Sequence, residues 1–513
     1  MLTKVKTVAL DGMKGELVEI ETDISNGLPY FSIIGMADTS VREATERVKR
    51  ALVNSGFDYP KGRITVNLSP AHIHKRGSHF DLGIAIGLLL LQRILECNVD
   101  NILFIGELSL DGRIVPIKGA LPMTMSIIEK NTNKIDEIIL PIDNCSEAYL
   151  FTRNTNVKLF PATCLNEVVS HLQGKKISAY EERGQNKKEE FNLNYIDVLG
   201  HENVKEAIMI AVAGKHNLLM IGPPGTGKTM IAKRVTSILK PMSLTEQIET
   251  TKIYSYAGKL TKENPIILER PFRHITIGTT QAALIGGGSY PMPGEVSLAH
   301  NGVLFIDEML EFPEKLLENL RVPMEDKEVH IVRKGNSTAF QSNFLLIGAT
   351  NPCKCGFYGD SKRQCTCTQT EINQYRSKLS GALLDRIDMT IEVNSIDYKD
   401  IDSSINNNYS SEKMLETVLK ATKVQENRYK YLPFDCNGDI ESKYIDEFCK
   451  LDKSGKEFME SIYENKHISM RRYHKILKVA RTIADIKQKE KITLKELSAS
   501  YHYTRFLAEK GRE

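Results

Sequence analysis

The sequence predicts an α/β protein, and three observations predict it. The run Asn217-Leu218-Leu219-Met220-Ile221 has the character of a buried strand, and after a glycine-rich turn Met230-Ile231-Ala232-Lys233-Arg234-Val235 opens a helical pattern. Two later apolar runs, Val303-Leu304-Phe305-Ile306 and Leu345-Leu346-Ile347-Gly348-Ala349, each lead directly into polar side chains. The first 170 or so residues instead mix half-buried strand patterns with helical ones, which points to a separate α+β unit ahead of the α/β core.

The chain has 513 residues and a mass of 57.8 kDa, too much for one ordinary core, so two or three domains are expected. Hydrophobic residues at 41% and charged residues at 26% are those of a soluble globular protein, and the net charge of +3 points to no partner by itself. Met1-Leu2-Thr3-Lys4 carries no signal-peptide pattern, and the longest apolar run, 82–91, is too short to span a bilayer. A cytoplasmic protein without membrane contact is therefore expected. In that compartment the nine cysteines are free thiols or metal ligands rather than disulfides.

Near the N-terminus, Leu17-Val18-Glu19-Ile20-Glu21 and Ile64-Thr65-Val66-Asn67-Leu68 alternate as half-buried strands do. Between them Val41, Ala44, Val48, Ala51 and Leu52 repeat at helical spacing, with Gly56 where a C-terminal cap belongs. Residues 80–91 read as a buried helix, and 104–113 as two short strands around Asp111-Gly112. The segment 174–190 is rich in Lys, Glu, Arg, Gly and Asn without apolar period, which marks a linker. After it Val204, Ala207, Ile208, Ala211 and Val212 share one helix face, stopped at Gly214.

The octapeptide Gly222-Pro223-Pro224-Gly225-Thr226-Gly227-Lys228-Thr229 is a complete G-x-x-x-x-G-K-[ST] pattern between strand and helix. Glycines there let backbone N–H groups turn toward phosphates, Lys228 reaches the same oxygens, and the Thr229 hydroxyl can ligate Mg2+. An ATP-driven machine is expected. Val303-Leu304-Phe305-Ile306-Asp307-Glu308 supplies a Walker B pattern, in which Asp307 holds the magnesium through water and Glu308 polarises the attacking water.

Family resemblances sharpen this reading. Residues 106–117, Gly-Glu-Leu-Ser-Leu-Asp-Gly-Arg-Ile-Val-Pro-Ile, resemble the proteolytic domain of Lon proteases. The serine turn of that family is not reproduced by Gly77-Ser78-His79-Phe80-Asp81-Leu82, and its lysine position falls near Leu121. Ser78 and Lys118 are conceivable substitutes, but the reading adopted is a non-proteolytic Lon-like fold used for assembly or partner contact, with Lys75 and Arg76 on a solvated basic edge. Further on, the strand ending at Asn351 looks like sensor 1 of AAA+ ATPases. Leu383-Leu384-Asp385-Arg386-Ile387-Asp388 resembles the arginine-finger box, and Ser469-Met470-Arg471 resembles sensor 2 at a helix start. The resemblance implies that Asn351 orients the lytic water and that Arg386 acts on a neighbouring subunit's nucleotide. The adenine is expected beside Val198-Leu199-Gly200.

Residues 286–302, Gly-Gly-Gly-Ser-Tyr-Pro-Met-Pro-Gly-Glu-Val-Ser-Leu-Ala-His-Asn-Gly, look like the signature of magnesium-chelatase-type AAA+ ATPases, and the whole chain resembles the ComM/YifB family within that group. That resemblance implies a Lon-like α+β domain over 1–172, a charged linker over 173–192, a P-loop AAA+ core over 193–396 and a C-terminal helical lid over 397–513. It implies a hexameric ATPase that acts on single-stranded or branched DNA in recombination and natural transformation. The alternative is the ATPase subunit of a tetrapyrrole magnesium chelatase or a metal-insertion chaperone, from which the Lon-like domain and the cysteine cluster depart.

Two more features bear on ligands. Cys353-Lys354-Cys355 and Cys365-Thr366-Cys367 place four cysteines within fifteen positions, a set suited to tetrahedral zinc. Residues 329–340 read as a β-hairpin whose turn carries Arg333 and Lys334, placed where chelatase-type proteins present a hairpin to the ring channel; these cations would follow DNA phosphates. A second basic surface is expected on the lid, where 466–491 holds nine Lys or Arg against Asp485 and Glu490.

Overall fold

The computed structural model describes residues 2–130, 134–181, 193–333, 336–360, 362–395, 409–466 and 468–505. Contacts divide the chain into two units, each treated by itself below. The first comprises Met1–Lys187, Ser243–Leu268 and Val332–Ala339; the second comprises Lys188–Met242, Glu269–Ile331 and Phe340–Glu513. This division follows a different line from the sequence boundaries, because two pieces of the region read as ATPase core associate with the N-terminal unit and the helical C-terminal region associates with the core. Residues 182–192 of the linker, and 396–408 and 506–513 of the lid, lie outside the described residues.

The first unit is built on a mixed seven-stranded sheet. Its order is Tyr30–Ile34, Arg63–Ser69, Lys14–Ser25, Leu2–Asp11, Ile102–Phe104, Glu137–Pro141, Lys158–Ala162. The two period-2 runs of the sequence are the strands Lys14–Ser25 and Arg63–Ser69, paired antiparallel with Ile20 opposite Leu68. The helical spacing of 41–52 becomes Thr39–Arg42 and Ala44–Asn54, followed by Gly56 at φ +86. The helix Asp81–Leu91 is buried on nearly every side. Gly83 and Gly87 let the sheet approach it, since a Cβ on them would meet Ile20 Cδ1 at 2.6 Å and Thr22 Oγ1 at 2.7 Å. The turn at Asp111-Gly112 joins Glu107–Leu108 to Ile114–Val115, with Gly112 at φ +82.

The helix Leu244–Ala257 belongs to this unit although it lies between two strands of the other. A reciprocal Ser243/Glu246 capping box starts it and Gly258, at φ +64, ends it. It packs on Ala120–Lys130 and Cys145–Thr152, and the Gly119 N–H donates to the Ser255 carbonyl at 3.0 Å. Glu147 is buried at this junction. It accepts from Asn144 Nδ2 at 2.6 Å and the Leu121 N–H at 3.2 Å, and burial pushes its pKa up to about 7.

The second unit carries a five-stranded parallel sheet in the order Phe272–Ile275, Val303–Ile306, Leu345–Thr350, Leu218–Ile221, Met389–Glu392. All three apolar runs named from sequence are strands here. They are buried on both faces, which is why they read as unbroken hydrophobic runs. The helix Glu202–Gly214 ends at Gly214 as expected and packs against the C-terminal helices Ser411–Tyr429 and Met470–Ile486. The junction is polar at its centre: His216 Nε2 meets Thr482 Oγ1 at 2.7 Å and Gln425 Nε2 donates to the Ala213 carbonyl at 3.0 Å. Asp485, fully buried, takes both Arg428 and Arg481. The expected hairpin is present as Glu328–Arg333 paired with Asn336–Gln341; Lys334 in its turn and the Arg333 side chain lie outside the described residues.

Candidate functional site: a phosphate loop on a parallel sheet

The phosphate loop occupies the C-terminal end of the strand Leu218–Ile221 and passes into the helix Lys228–Lys233. Its entry admits only glycine: a Cβ on Gly222 would lie 2.1 Å from the Val393 carbonyl oxygen. Gly225 and Gly227, at φ +80 and +83, hold the left-handed turns that point backbone N–H groups inward. The Lys228 ammonium is folded back on the loop, donating to the carbonyls of Gly222 at 2.6 Å and Pro223 at 2.8 Å and to Asn351 Oδ1 at 3.3 Å. Burial lowers its pKa to about 8 against the opposing pull of Asp307 and Glu308.

Strand order assembles the rest. Leu345–Thr350 lies between the P-loop strand and Val303–Ile306, with Thr350 opposite Ile221 and Gly348 opposite Ile306. Asn351 and Asp307 therefore emerge on the same edge as the loop, where ligands of parallel sheets are held. Thr229 Oγ1 donates to Asp307 Oδ2 at 2.6 Å. Hydroxyl and carboxylate oxygens are the hard donors that a magnesium ion takes directly or through its waters, so this pair suits that ion. Glu308 sits at φ 49 and ψ 44, a strained conformation for a non-glycine residue, and its side chain is exposed beside Asp307.

Two histidines at this edge were not anticipated. His274, on the neighbouring strand, has Nε2 4.0 Å from Asp307 Oδ2 and stacks on Phe305. His201, at the start of the helix Glu202–Gly214 in a left-handed conformation, bonds to the backbone of Thr226. The first lies in a strand too short to show alternation. The second follows Val198-Leu199-Gly200, where the sequence suggested only apolar and backbone contacts.

Arg386 and Arg471 come together on one carboxylate. Arg386 pairs with Glu325 and donates to the Ala382 carbonyl at 2.7 Å, and Arg471 Nη2 lies 3.9 Å from the same carboxylate. Ser469 caps the helix Met470–Ile486 as the sequence suggested, accepting from the Arg472 N–H. From that helix Lys475 donates to the carbonyls of Leu384 at 3.3 Å and Ile387 at 2.7 Å, which fastens the helix Met470–Ile486 to the segment that carries Arg386. Nε of Arg386 and Nε and Nη2 of Arg472 are buried without hydrogen-bond partners. Glu325 carried no sequence signal, being one of two adjacent acids at the end of the short helix Arg321–Asp326.

One basic surface is corrected. Lys75 is not on a solvated edge: it is fully buried, donates to the Pro70 carbonyl, and burial lowers its pKa. In the lid segment several cations have partners within the unit, while Arg471 and Lys491 are exposed. Arg481 is buried and bonds Asp485 and the carbonyls of Lys489 and Glu490; Lys478 donates to the Gly438 carbonyl; Lys487 and Lys489 both pair with Glu496. In the first unit the Ser78 hydroxyl bonds Glu107, while Lys118 lies along Gly258. No hydrogen bond joins Ser78 to Lys118 among the described residues. No described helix is long and apolar enough to cross a membrane.

A five-stranded parallel sheet with this strand order, a P-loop on its fourth strand and a Walker B acid two strands away defines an AAA+ nucleotide-binding domain. Family models agree along the chain: residues 194–401 match magnesium chelatase, subunit ChlI; 20–144 match subunit ChlI of Mg-chelatase; and 408–504 match the subunit ChlI C-terminal model. The chain is 37% identical over 505 residues to Competence protein ComM of Haemophilus influenzae, covering 96% of this chain and 95% of that protein. It is 35% identical over 503 residues to YifB of Escherichia coli, covering 98% and 97%. With the magnesium-chelatase 67 kDa subunit of Heliobacterium mobile the identity is 27%, over 32% of this chain and 28% of that protein. The chain belongs to the ComM/YifB family of magnesium-chelatase-like AAA+ ATPases.

Proposed function

We propose that this protein is an ATP-hydrolysing ring motor, a homo-hexamer, that moves DNA strands and drives branch migration in recombination. The observation that carries the DNA assignment is the match to a competence protein across nearly the whole of both chains, whereas the match to a magnesium-chelatase subunit covers about a third of this one. The pigment-pathway alternative shares the magnesium-chelatase family models, but its relative matches this chain over only a third of its length.

The hydrolytic half rests on the geometry of the sheet edge. Lys228, now satisfied by two loop carbonyls and Asn351, exchanges those acceptors for β- and γ-phosphate oxygens when ATP enters. Thr229 would ligate a magnesium ion and Asp307 would hold it through water, and the ion would supply positive charge to the phosphates. Glu308 takes a proton from the attacking water, and Asn351 orients that water. Arg386, held with Arg471 on Glu325, acts as the finger on the nucleotide of the adjoining subunit, and Arg471 serves as the sensor-2 arginine.

The DNA half is tested by measuring the ATPase rate with and without single-stranded and branched DNA, in the wild type and in the Arg333→Ala/Lys334→Ala double variant. Stimulation by DNA, lost in the variant while basal hydrolysis survives, is the expected result. Binding to DNA should weaken steeply with salt, because phosphate contacts release counterions. An ATPase indifferent to every DNA form would remove the assignment. Unchanged DNA binding in the double variant would move the grip to another surface.

A further inference from the structure

The two C-x-C arms converge within the ATPase unit. The sulfurs of Cys353, Cys355, Cys365 and Cys367 all lie within 4.8 Å of one another. Cys353 and Cys355 are 3.3 Å apart, Cys355 and Cys365 3.5 Å, and Cys353 and Cys365 3.7 Å. These separations are far beyond the roughly 2.05 Å of a disulfide. A tetrahedron of thiolates about 2.3 Å from a central zinc ion has edges of about 3.8 Å, so the four sulfurs already stand near the corners of such a site. They are too close together to enclose an iron–sulfur cluster. The Cys355 N–H donates to Cys367 Sγ at 3.4 Å, the kind of bond that steadies a thiolate ligand. Cys353 is fully buried and the other three are half-buried, so one ion would be shielded yet able to enter.

What this cluster touches is the phosphate loop. A Cβ on Gly356, the residue after the first arm, would lie 2.7 Å from Pro224 Cδ, so the cysteine loop passes directly against the P-loop. Gly356 and Gly359, at φ +87 and +81, supply the tight turns between the arms. Arg376 fixes the same loop from below: its Nε donates to the Pro352 carbonyl at 3.2 Å and its guanidinium lies 4.9 Å over the Tyr358 ring. Gly222, Pro223, Pro352 and Tyr358 together line one pocket, so this loop forms a wall of the space beside the phosphate loop. Asn351, which bonds Lys228, stands two residues before the first cysteine.

We propose that Cys353, Cys355, Cys365 and Cys367 bind one zinc ion as four thiolates, and that this ion holds the loop 352–359 against Pro224 and thereby sets the shape of the nucleotide site. Each thiol releases its proton to solvent as the metal binds, and no electron is transferred. Zinc is the soft, tetrahedral, redox-inert choice for such a sulfur set. The ion is structural, since all four of its positions are filled by protein.

The test uses the full chain purified under reducing conditions. Metal content by mass spectrometry, thiol titration with and without a zinc-releasing reagent, and affinity for a fluorescent ATP analogue are measured before and after chelation. The expected result is one zinc per chain, four thiols protected until the metal is released, and a several-fold or greater loss of analogue affinity that zinc restores. Cys365→Ser/Cys367→Ser should lose the metal, while Cys97→Ser/Cys164→Ser should keep it. If chelation unfolds the ATPase unit, circular dichroism reports it, and the structural role of the ion stands. Protein that binds no zinc, or binds iron in its place, would overturn the site; bound zinc whose removal leaves analogue affinity unchanged would overturn its hold on the phosphate loop.

Discussion

Arg386 and Arg471 share a single carboxylate, Glu325, which pairs with the first and lies 3.9 Å from the second. The Arg386 side chain is only 13% exposed, whereas Glu325 and Arg471 are open to solvent, so the longer Arg471 contact is of the kind that contributes about 0–1 kcal/mol. Arg386→Ala is expected to lower kcat by about a thousandfold or more with ATP affinity nearly unchanged. Glu325→Gln is expected to leave thermal stability within about 1 kcal/mol of wild type and kcat no lower than wild type. A collapse of kcat in Glu325→Gln matching that of Arg386→Ala would mean that the carboxylate works in hydrolysis itself.

At the phosphate loop, Lys228→Ala removes a buried cation that would contact phosphate, and a charged hydrogen bond of about 1.5–3 kcal/mol corresponds to roughly ten- to hundredfold in ATP affinity. Glu308→Gln should keep ATP bound and lower turnover by about 10² to 10⁴. Equilibrium binding and single-turnover hydrolysis separate the two effects. Normal turnover in Glu308→Gln would withdraw its role as base.

The pKa of Lys228, lowered by burial to about 8, makes nucleotide affinity depend on pH. Phosphates bind the protonated ammonium, so affinity should hold below about pH 8 and fall above it, by up to about tenfold per pH unit. Stability of the nucleotide-free protein moves the other way: from about pH 8 to 10.5 the unfolded chain binds a proton that the folded one has lost, so stability rises with pH. Isothermal titration with the ATP analogue between pH 7 and 9 reads the affinity, and a flat profile would contradict the burial of this ammonium.

Glu147 offers a second titration, in the other unit. Its folded pKa of about 7 lies above the ordinary 4.5, so the folded state binds the proton more tightly. That contribution is fully present below pH 4.5 and is lost as pH rises to about 7, an effect of about 3 kcal/mol at most. Glu147→Gln should flatten the stability profile between pH 5 and 7.5. Denaturant melts at the two pH values decide it, and an equal slope in both proteins would assign the pH dependence elsewhere.

Local features of this chain were open to reading residue by residue. The P-loop, the Walker B strand, the sensor strand ending at Asn351, the helix ending at Gly214 and the hairpin over 328–341 each depend on a short-range pattern. Such patterns follow from side-chain period and from backbone angles that glycine alone tolerates, and both act within a few residues. The fold class and family were legible for the same reason.

Long-range placement was not legible. That Leu345–Thr350 inserts between the strands ending at Ile221 and Ile306, bringing Asn351 to Lys228, depends on which apolar faces bury one another across more than a hundred residues. That Leu244–Ala257 leaves its sequence neighbours for the N-terminal unit depends on the same competition for burial. The lid cations look like a free basic stretch because several of their partners, at Leu384, Ile387, Gly438 and Glu490, are main-chain carbonyls, which every residue possesses and no side-chain pattern reveals. The sequence by itself determined which chemistry the chain carries; the tertiary structure decided which of its charges remain available to use it, because burial and main-chain hydrogen bonding are settled only when distant segments pack.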